Sequence, residues 1–371
     1  MTHVIEQLLR SAGITPNGPN PWDIQVHHKQ FYNRILKDPT LELGESYMDE
    51  WWDCAALDEF IFRLIRANLT EKIKASPILS LKIIWSKILN FQTKREEHIG
   101  IRKHYNTGNE LFEKMLGKTM NYSCGYWKNA HYLDEAQSAK MELICRKLML
   151  KPGQKILDVG CGWGGFAKYA SEKYQVEVVG LTLSSEQKKY ADNFCKDLPV
   201  TIIFGNYRDF VSEPFDRIVS IGMFEHVGYK NYRDFMKFAS QHLKNDGIFL
   251  LHTIGSATPA KILENRWIAK YIFQNGMLPC ISQIGKAIDY LFVMEDWHNF
   301  GAYYDPTLMS WNANFNKYWP ELKNHYDNRF YRMWNFYLLS CAGAFRARYL
   351  QLWQIVMTKD GMLGGFHIRD L

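Results

Sequence analysis

From about residue 150, short apolar runs alternate with longer stretches whose apolar positions recur every three or four residues. Residues 155–159, 176–181, 200–204, 217–221 and 247–251 have the length and apolar content of strands, and 166–174 and 185–195 have the spacing of helices. Such alternation predicts a mostly parallel sheet covered by helices on both faces, with 350–356 as a last strand. The first 75 residues read instead as small helices joined by polar turns. Ile5, Leu8 and Leu9 share one helical face, and Gly13, Pro16, Gly18, Pro19 and Pro21 end that helix. Tyr47–Cys54 sets aromatic residues among acids and reads as an amphipathic helix. Residues 361–368 fit either a closing strand or a loose end.

Charge changes the picture between Phe62 and His104. Ten Lys and Arg stand there against three acids, an excess of seven that exceeds the +6 of the whole chain. Ile78, Leu79, Leu81, Ile83, Ile84, Trp85, Ile88, Leu89 and Phe91 run through the same stretch. A basic helix with an apolar face and a Trp suits a membrane interface, and a solvated linker helix packed on its neighbour suits the same residues. The resulting division is a small helical, lipid-associating domain at 1–75, a basic amphipathic linker at 76–98, and a catalytic domain at 99–371.

At 371 residues, with 47% hydrophobic and 23% charged, the chain has ample material for a folded core and is not of disordered composition. The mild positive charge suits an anionic partner, a phospholipid surface or a nucleic acid. No apolar run approaches the roughly 18 residues that a membrane span requires, and residues 1–9 lack a secretion signal pattern. Seven scattered cysteines with no Cys-x-x-Cys pair indicate neither a zinc site nor a disulfide framework, so a reducing cytoplasm and no metal are expected.

The sharpest local signal is Asp158-Val159-Gly160-Cys161-Gly162-Trp163-Gly164-Gly165, which follows a strand and opens a helix. Glycines there let the backbone turn tightly and approach a ligand closely. The spacing by itself serves NAD or S-adenosylmethionine equally. The next strand ends Val178-Val179-Gly180-Leu181-Thr182, without the acid an NAD ribose wants, which favours S-adenosylmethionine. Asp158 would then sit beside the methionine ammonium or an ordered water. The acid with Gly160, Gly162 and Gly164 resembles motif I of the class I methyltransferases. That resemblance implies that Thr182 and Gln187 take the ribose hydroxyls, and that Asn206, Tyr207, Arg208 and Asp209 flank the adenine.

More specific segments surround this motif: His104–Phe112, Tyr122-Ser123-Cys124-Gly125-Tyr126-Trp127, Gly222-Met223-Phe224-Glu225-His226-Val227-Gly228, Leu251-His252-Thr253-Ile254-Gly255 and Glu295–Gly301. Together with motif I and Leu43–Met48 they resemble the cyclopropane-fatty-acyl-phospholipid synthases over nearly the whole chain. The resemblance implies a Rossmann-like, seven-stranded α/β methyltransferase domain with a small helical domain before it. It implies transfer of the S-adenosylmethionine methyl to a cis double bond in an acyl chain of a membrane phospholipid, then loss of a proton and ring closure. It implies a bicarbonate ion held by Cys124, Glu225, His252, Ile254 and Tyr304, the last placed directly before Asp305 rather than at its neighbour Tyr303. Tyr122 and Ser123 are assigned by it to the methionine part of the cofactor.

Elementary chemistry is consistent with that set. An alkene needs alignment more than a base at the start, a cation in an apolar cavity needs water excluded, and a small hydrogen-bonded anion can reach the departing proton. Taken singly, Cys124 reads as a buried hydrophobe, His252 as a structural histidine at a strand end and Glu225 as a helix cap. Other readings are a small-molecule N- or C-methyltransferase, a nucleic-acid methyltransferase and a non-catalytic membrane binder. The second lacks Asn/Asp-Pro-Pro-Tyr after strand four, so no nucleic-acid partner is expected. The expected partners are an unsaturated phospholipid, an anionic bilayer bound peripherally at the inner membrane surface, and a second copy in a homodimer.

Overall fold

The computed structural model describes residues 2–69, 108–259, 265–274 and 276–368. The basic apolar stretch from residue 70 onward, with the linker read at 76–98, and residues 104–107 of the first motif lie outside the described residues. Two compact units are formed, one from Met1–His104, Leu263–Gln274 and Trp311–Tyr349, the other from Tyr105–Ile262, Asn275–Ser310 and Leu350–Leu371.

The first unit is mainly helical, as its sequence implies, but it does not end near residue 75. Residues 263–274 and 311–349 join it because their large rings bury there. Trp267 lies against Gly44, where a Cβ would meet the indole at 2.5 Å. Phe336, in the helix Asn328–Arg346, packs on Trp52, Tyr47 and Trp267. Tyr47–Cys54 is not one helix. The helix Pro39–Met48 stops, Glu50 takes φ +61°, and Trp52–Asp53 (β2) pairs antiparallel with Gln25–Val26 (β1). A left-handed residue cannot continue a right-handed helix. The extended backbone beyond it delivers the Trp52 ring into the core, where the indole donates to Ser46 Oγ at 3.0 Å.

The second unit holds a seven-stranded sheet: β3 (Lys155–Val159), β4 (Glu177–Thr182), β5 (Val200–Phe204), β6 (Phe215–Ile221), β7 (Leu243–Ser256), β8 (Val293–Asn299) and β9 (Leu350–Thr358), in the order β5-β4-β3-β6-β7-β9-β8. Every neighbouring pair is parallel except the two that involve β9. Strand alternation explains the two cores. Leu157, Ile218, Phe249, Leu251 and Ile355 face Phe235 and Phe238 of the helix Tyr232–His242 and Ile284 of Ile281–Ile288. Their neighbours Ile156, Val219, Ile248, Leu250 and Val356 face Ile144 of the helix Leu133–Lys147 and Phe166 and Ala170 of Gly165–Tyr174.

β7 is longer than its sequence suggests, so His252 lies inside the strand rather than at its end. The pairing of β6 with β7 stops at Ile221 and His252, and β7 runs on alone along that edge to Ser256. On its other edge it stays paired with β9, His252 with Gln354 and Ile254 with Leu352. The segment Glu295–Gly301, read as a motif, supplies the edge strand β8. Residues 361–368 form no strand; the Met362 N–H donates to Glu295 Oε1, and Met362 and Phe366 rest on the second core. Among the described residues no helix is long and apolar enough to cross a membrane.

Candidate active site

At the carboxyl ends of β3, β4 and β6 a cleft of about 460 Å³ opens, the place where ligands bind in open α/β sheets. Its floor is the glycine turn after β3. Gly160, Gly162 and Gly164 all have positive φ, +94°, +55° and +84°. A Cβ on Gly160 would come within 2.6 Å of Met223 Cβ, whereas one on Gly162 would meet no atom within 4 Å and would project into free space. The first glycine is needed for packing and the second keeps the ligand's space open. Trp163, bulky in such a loop, lines the cleft with its indole donating to Asn109 Oδ1 at 2.9 Å and its ring against Phe112. That gives the described part of the His104–Phe112 segment a physical role.

Every sequence-assigned cofactor contact reaches this cleft except Gly164, in the turn itself, and Asp209, which does not line it. Thr182 Oγ1 donates to Gln187 Oε1 at 2.8 Å, a pairing that holds both at the β4 tip. Asn206 accepts from the Arg208 N–H and the Arg208 guanidinium lies over the Tyr207 ring. Tyr207 is as much core as wall, since its ring meets Phe235 and Phe238 edge-on. Asp158 is 1% exposed and its Oδ1 has no partner among the described residues. Burial pushes its carboxyl well above the usual range, against the pull of Lys140.

The turn Phe224–His226 joins the cleft to a buried polar cluster. Met223 and His226 line the cleft, while Glu225 between them turns to β7. Glu225 Oε1 accepts the Ile254 N–H at 2.7 Å, the backbone donor left over where β7 outruns β6. Its Oε2 and His252 Nε2 are both buried without a partner among the described residues. Burial raises the Glu225 carboxyl to about 7 despite the Ile254 N–H. Burial, then the charges of Lys140 and Lys147, hold His252 well below its ordinary value, so it is neutral. Gln354 Nε2 lies 3.4 Å from His252 Nδ1. With the amide assigned in this orientation its nitrogen donates, which puts the ring proton on Nε2; the flipped amide would put it on Nδ1.

Cys124 and Tyr304 approach from other segments. Thr307, in the helix Tyr304–Leu322, accepts from the Gly125 N–H and the Trp127 indole and donates to the Tyr303 carbonyl. This pins the turn after Cys124 to the start of that helix, where Tyr304 is buried. Phe300 closes the ring of contacts, lying 5.9 Å from His252 and 5.3 Å from Tyr126, which in turn meets Tyr303 at 5.3 Å. The Cys124 thiol is buried and pushed far above its ordinary value by burial, so it is no thiolate nucleophile.

Sequence reasoning missed Gln137, Lys140, Thr307 and Gln354. A signal for two of them existed. Leu133, Ala136, Gln137, Lys140, Ile144 and Lys147 share one buried helical face, so a lysine stands where a core residue belongs. The roles of Thr307 and Gln354 depend on register and carry no local mark.

Residues 92–355 match the mycolic acid cyclopropane synthetase family. The chain is 49% identical over 365 residues to the cyclopropane-fatty-acyl-phospholipid synthase of Escherichia coli, covering 98% of this chain and 95% of that one. Among solved structures it resembles the cyclopropane synthase MmaA2 from Mycobacterium tuberculosis, at 32% identity and a TM-score of 0.66 over 70% of this chain and 97% of that one. It also resembles the mycolic acid cyclopropane synthase CmaA1 solved with SAH and CTAB, at 34% identity and a TM-score of 0.65 over the same shares. A class I sheet, a glycine turn suited to S-adenosylmethionine and these likenesses agree: the chain belongs to the mycolic acid cyclopropane synthetase family, a family of S-adenosylmethionine-dependent methyltransferases.

Proposed function

We propose that this enzyme cyclopropanates an unsaturated acyl chain of a membrane phospholipid, with a bicarbonate ion held by Glu225, His252, Tyr304 and the backbone at Cys124 and Ile254. The observation that carries the reading is the pair of orphaned buried atoms, Glu225 Oε2 and His252 Nε2. A carboxylate oxygen accepts and an Nε2–H donates, so together they suit a small anion that carries one hydroxyl. Likeness to the E. coli phospholipid synthase over 98% of the chain supports the same substrate class.

S-adenosylmethionine supplies the methyl group, and bound bicarbonate would supply the base. The protein's own residues do the rest. The alkene π pair forms the new carbon–carbon bond as the methyl–sulfur bond breaks with its electrons on sulfur, so alignment of cleft and acyl chain is the main requirement. The resulting carbocation would be faced by the rings of Phe300, Tyr126 and Tyr303, which pack edge-on and offer negative π faces. A proton then leaves the transferred methyl, and its bonding pair closes the ring. Neutral His252 orients without competing for that proton, and Glu225, tied by Ile254, keeps Oε2 as the acceptor.

The basic apolar residues between 62 and 104 make an anionic bilayer the fitting surface, at the inner face of the membrane, and a homodimer would present two such faces together. Mass spectrometry of lipids after incubation with S-adenosylmethionine and unsaturated phospholipid vesicles tests the reaction. A gain of one CH₂ with loss of the olefin is expected. An unchanged lipid, in the presence of cofactor binding, would turn the reading to a small-molecule methyltransferase. Light scattering tests the dimer, and vesicle co-sedimentation that weakens with salt tests the surface.

A further inference from the structure

Lys140 is an oddity that neither the cleft nor the anion site has used. It is 0% exposed, in the helix Leu133–Lys147, and its Nζ donates to Ser123 Oγ at 2.8 Å. An ammonium has three N–H donors and no acceptor, so the serine oxygen must accept. The Ser123 hydroxyl proton therefore stays available to point elsewhere. Gln137 Nε2 holds the Ser123 carbonyl at 2.8 Å, so the residue cannot swing away. Ser123 lines the cleft, as does Asp158 with its unpartnered Oδ1.

We infer that Lys140 is the positioning residue for the carboxylate of the cofactor's amino-acid end: through Ser123 it presents a donor backed by a positive charge, while Asp158 takes the ammonium. One wall of the cleft then offers a donor and cation beside an acceptor and anion. That pattern is complementary to an α-amino acid zwitterion and sums to no net buried charge. A buried ammonium whose partner is a hydroxyl is poorly compensated. Burial pulls the Lys140 ammonium down and pushes the Asp158 carboxyl up, each partly offset by the other. A bound zwitterion would give both a counter-charge.

The inference rests on the cleft being the S-adenosylmethionine site. Calorimetry on the full chain separates the two, using S-adenosylhomocysteine, its decarboxylated analogue and 5′-methylthioadenosine. Binding of S-adenosylhomocysteine to the parent chain tests the site, and its absence would remove both readings. For Lys140→Met, S-adenosylhomocysteine should bind roughly 10- to 100-fold more weakly, the loss of one hydrogen bond supported by charge. The two ligands without the carboxylate should bind no more weakly than to the parent. A uniform loss over all three ligands, as a structural role would give, overturns the inference, as does an unchanged affinity for S-adenosylhomocysteine. Should Lys140→Met not fold, Lys140→Gln, which keeps a donor toward Ser123 but not the charge, carries the same test. A loss confined to S-adenosylhomocysteine supports the inference, and a uniform loss or none overturns it.

Discussion

The cleft and the buried Glu225–His252 cluster beside it are built in opposite ways. The cleft is mostly backbone: a strand, a glycine turn and a helix in immediate succession, with the tips of β4 and β6 and residues 206–208 after β5 around them. The buried cluster is mostly side chains, Glu225, His252, Gln354 and Phe300, drawn from four separate segments. Its Glu225 Oε2 and His252 Nε2 lack partners among the described residues, whereas the cleft's Thr182, Gln187 and Asn206 are already paired and Asp158 Oδ1 is the atom left open there. A site of the first kind fails by being filled. A site of the second kind fails by losing one charge or one hydrogen bond, with the fold intact.

The largest effect that would sharpen this contrast is expected from Glu225→Gln. Turnover should fall by about 10²- to 10⁴-fold, the usual worth of a positioned acid–base group, with S-adenosylhomocysteine affinity unchanged. Near-normal turnover would dissolve the distinction between the sites. Gly162→Val should do the reverse. Its side chain would enter the open space of the cleft from a left-handed backbone position, and cofactor affinity should fall roughly 100-fold, equivalent to about 3 kcal/mol of clash and strain. Tight binding by calorimetry would show that the ligand does not approach that turn.

The same Glu225→Gln variant should be more stable than the parent at neutral pH. The folded-state carboxyl is raised above its free value to about 7, so the protonated form favours folding. The stability it contributes is fully present below the free value and lost as pH rises through about 7. A neutral amide removes that loss, and a gain of about 1–3 kcal/mol above pH 7 is expected. Thermal melts at pH 5 and pH 8 measure it, and equal stability of the two proteins at pH 8 contradicts a buried, charged Glu225. The smallest effect belongs to Cys124→Ala. With its thiol held neutral and Thr307 pinning the turn, turnover should drop less than about ten-fold, an indirect effect far below that of losing a nucleophile. Inactivation by that change alone would make the thiol chemical rather than structural.

Much of the cleft was legible in the chain because its parts are neighbours. Asp158 to Gly165 carries strand, turn and helix within eight residues, and the missing acid after Val179 separates the two cofactors by one side chain. The resemblance to a family brought out Glu225, His252 and Cys124, yet each taken singly read as ordinary. Tyr47–Cys54 misled because its amphipathic spacing does not record that Glu50 turns left-handed. The boundary near residue 75 was too simple because Trp267 and Phe336, far later in the chain, complete the same core.

The sequence by itself determined the class of fold and the identity of the cofactor, since periodicity, glycine placement and one absent acid are local facts that act through the backbone. Only the tertiary structure decided how Glu225 and His252 are placed. Whether Glu225 meets Ile254 depends on β7 outlasting β6, and which nitrogen of His252 carries the proton depends on Gln354 lying opposite it. Why a lysine stands on the buried face of the helix Leu133–Lys147 depends on where Ser123 comes to rest. These are register and burial relations between segments up to about a hundred residues apart, and the desolvation that gives them their chemical force exists only once the core has closed.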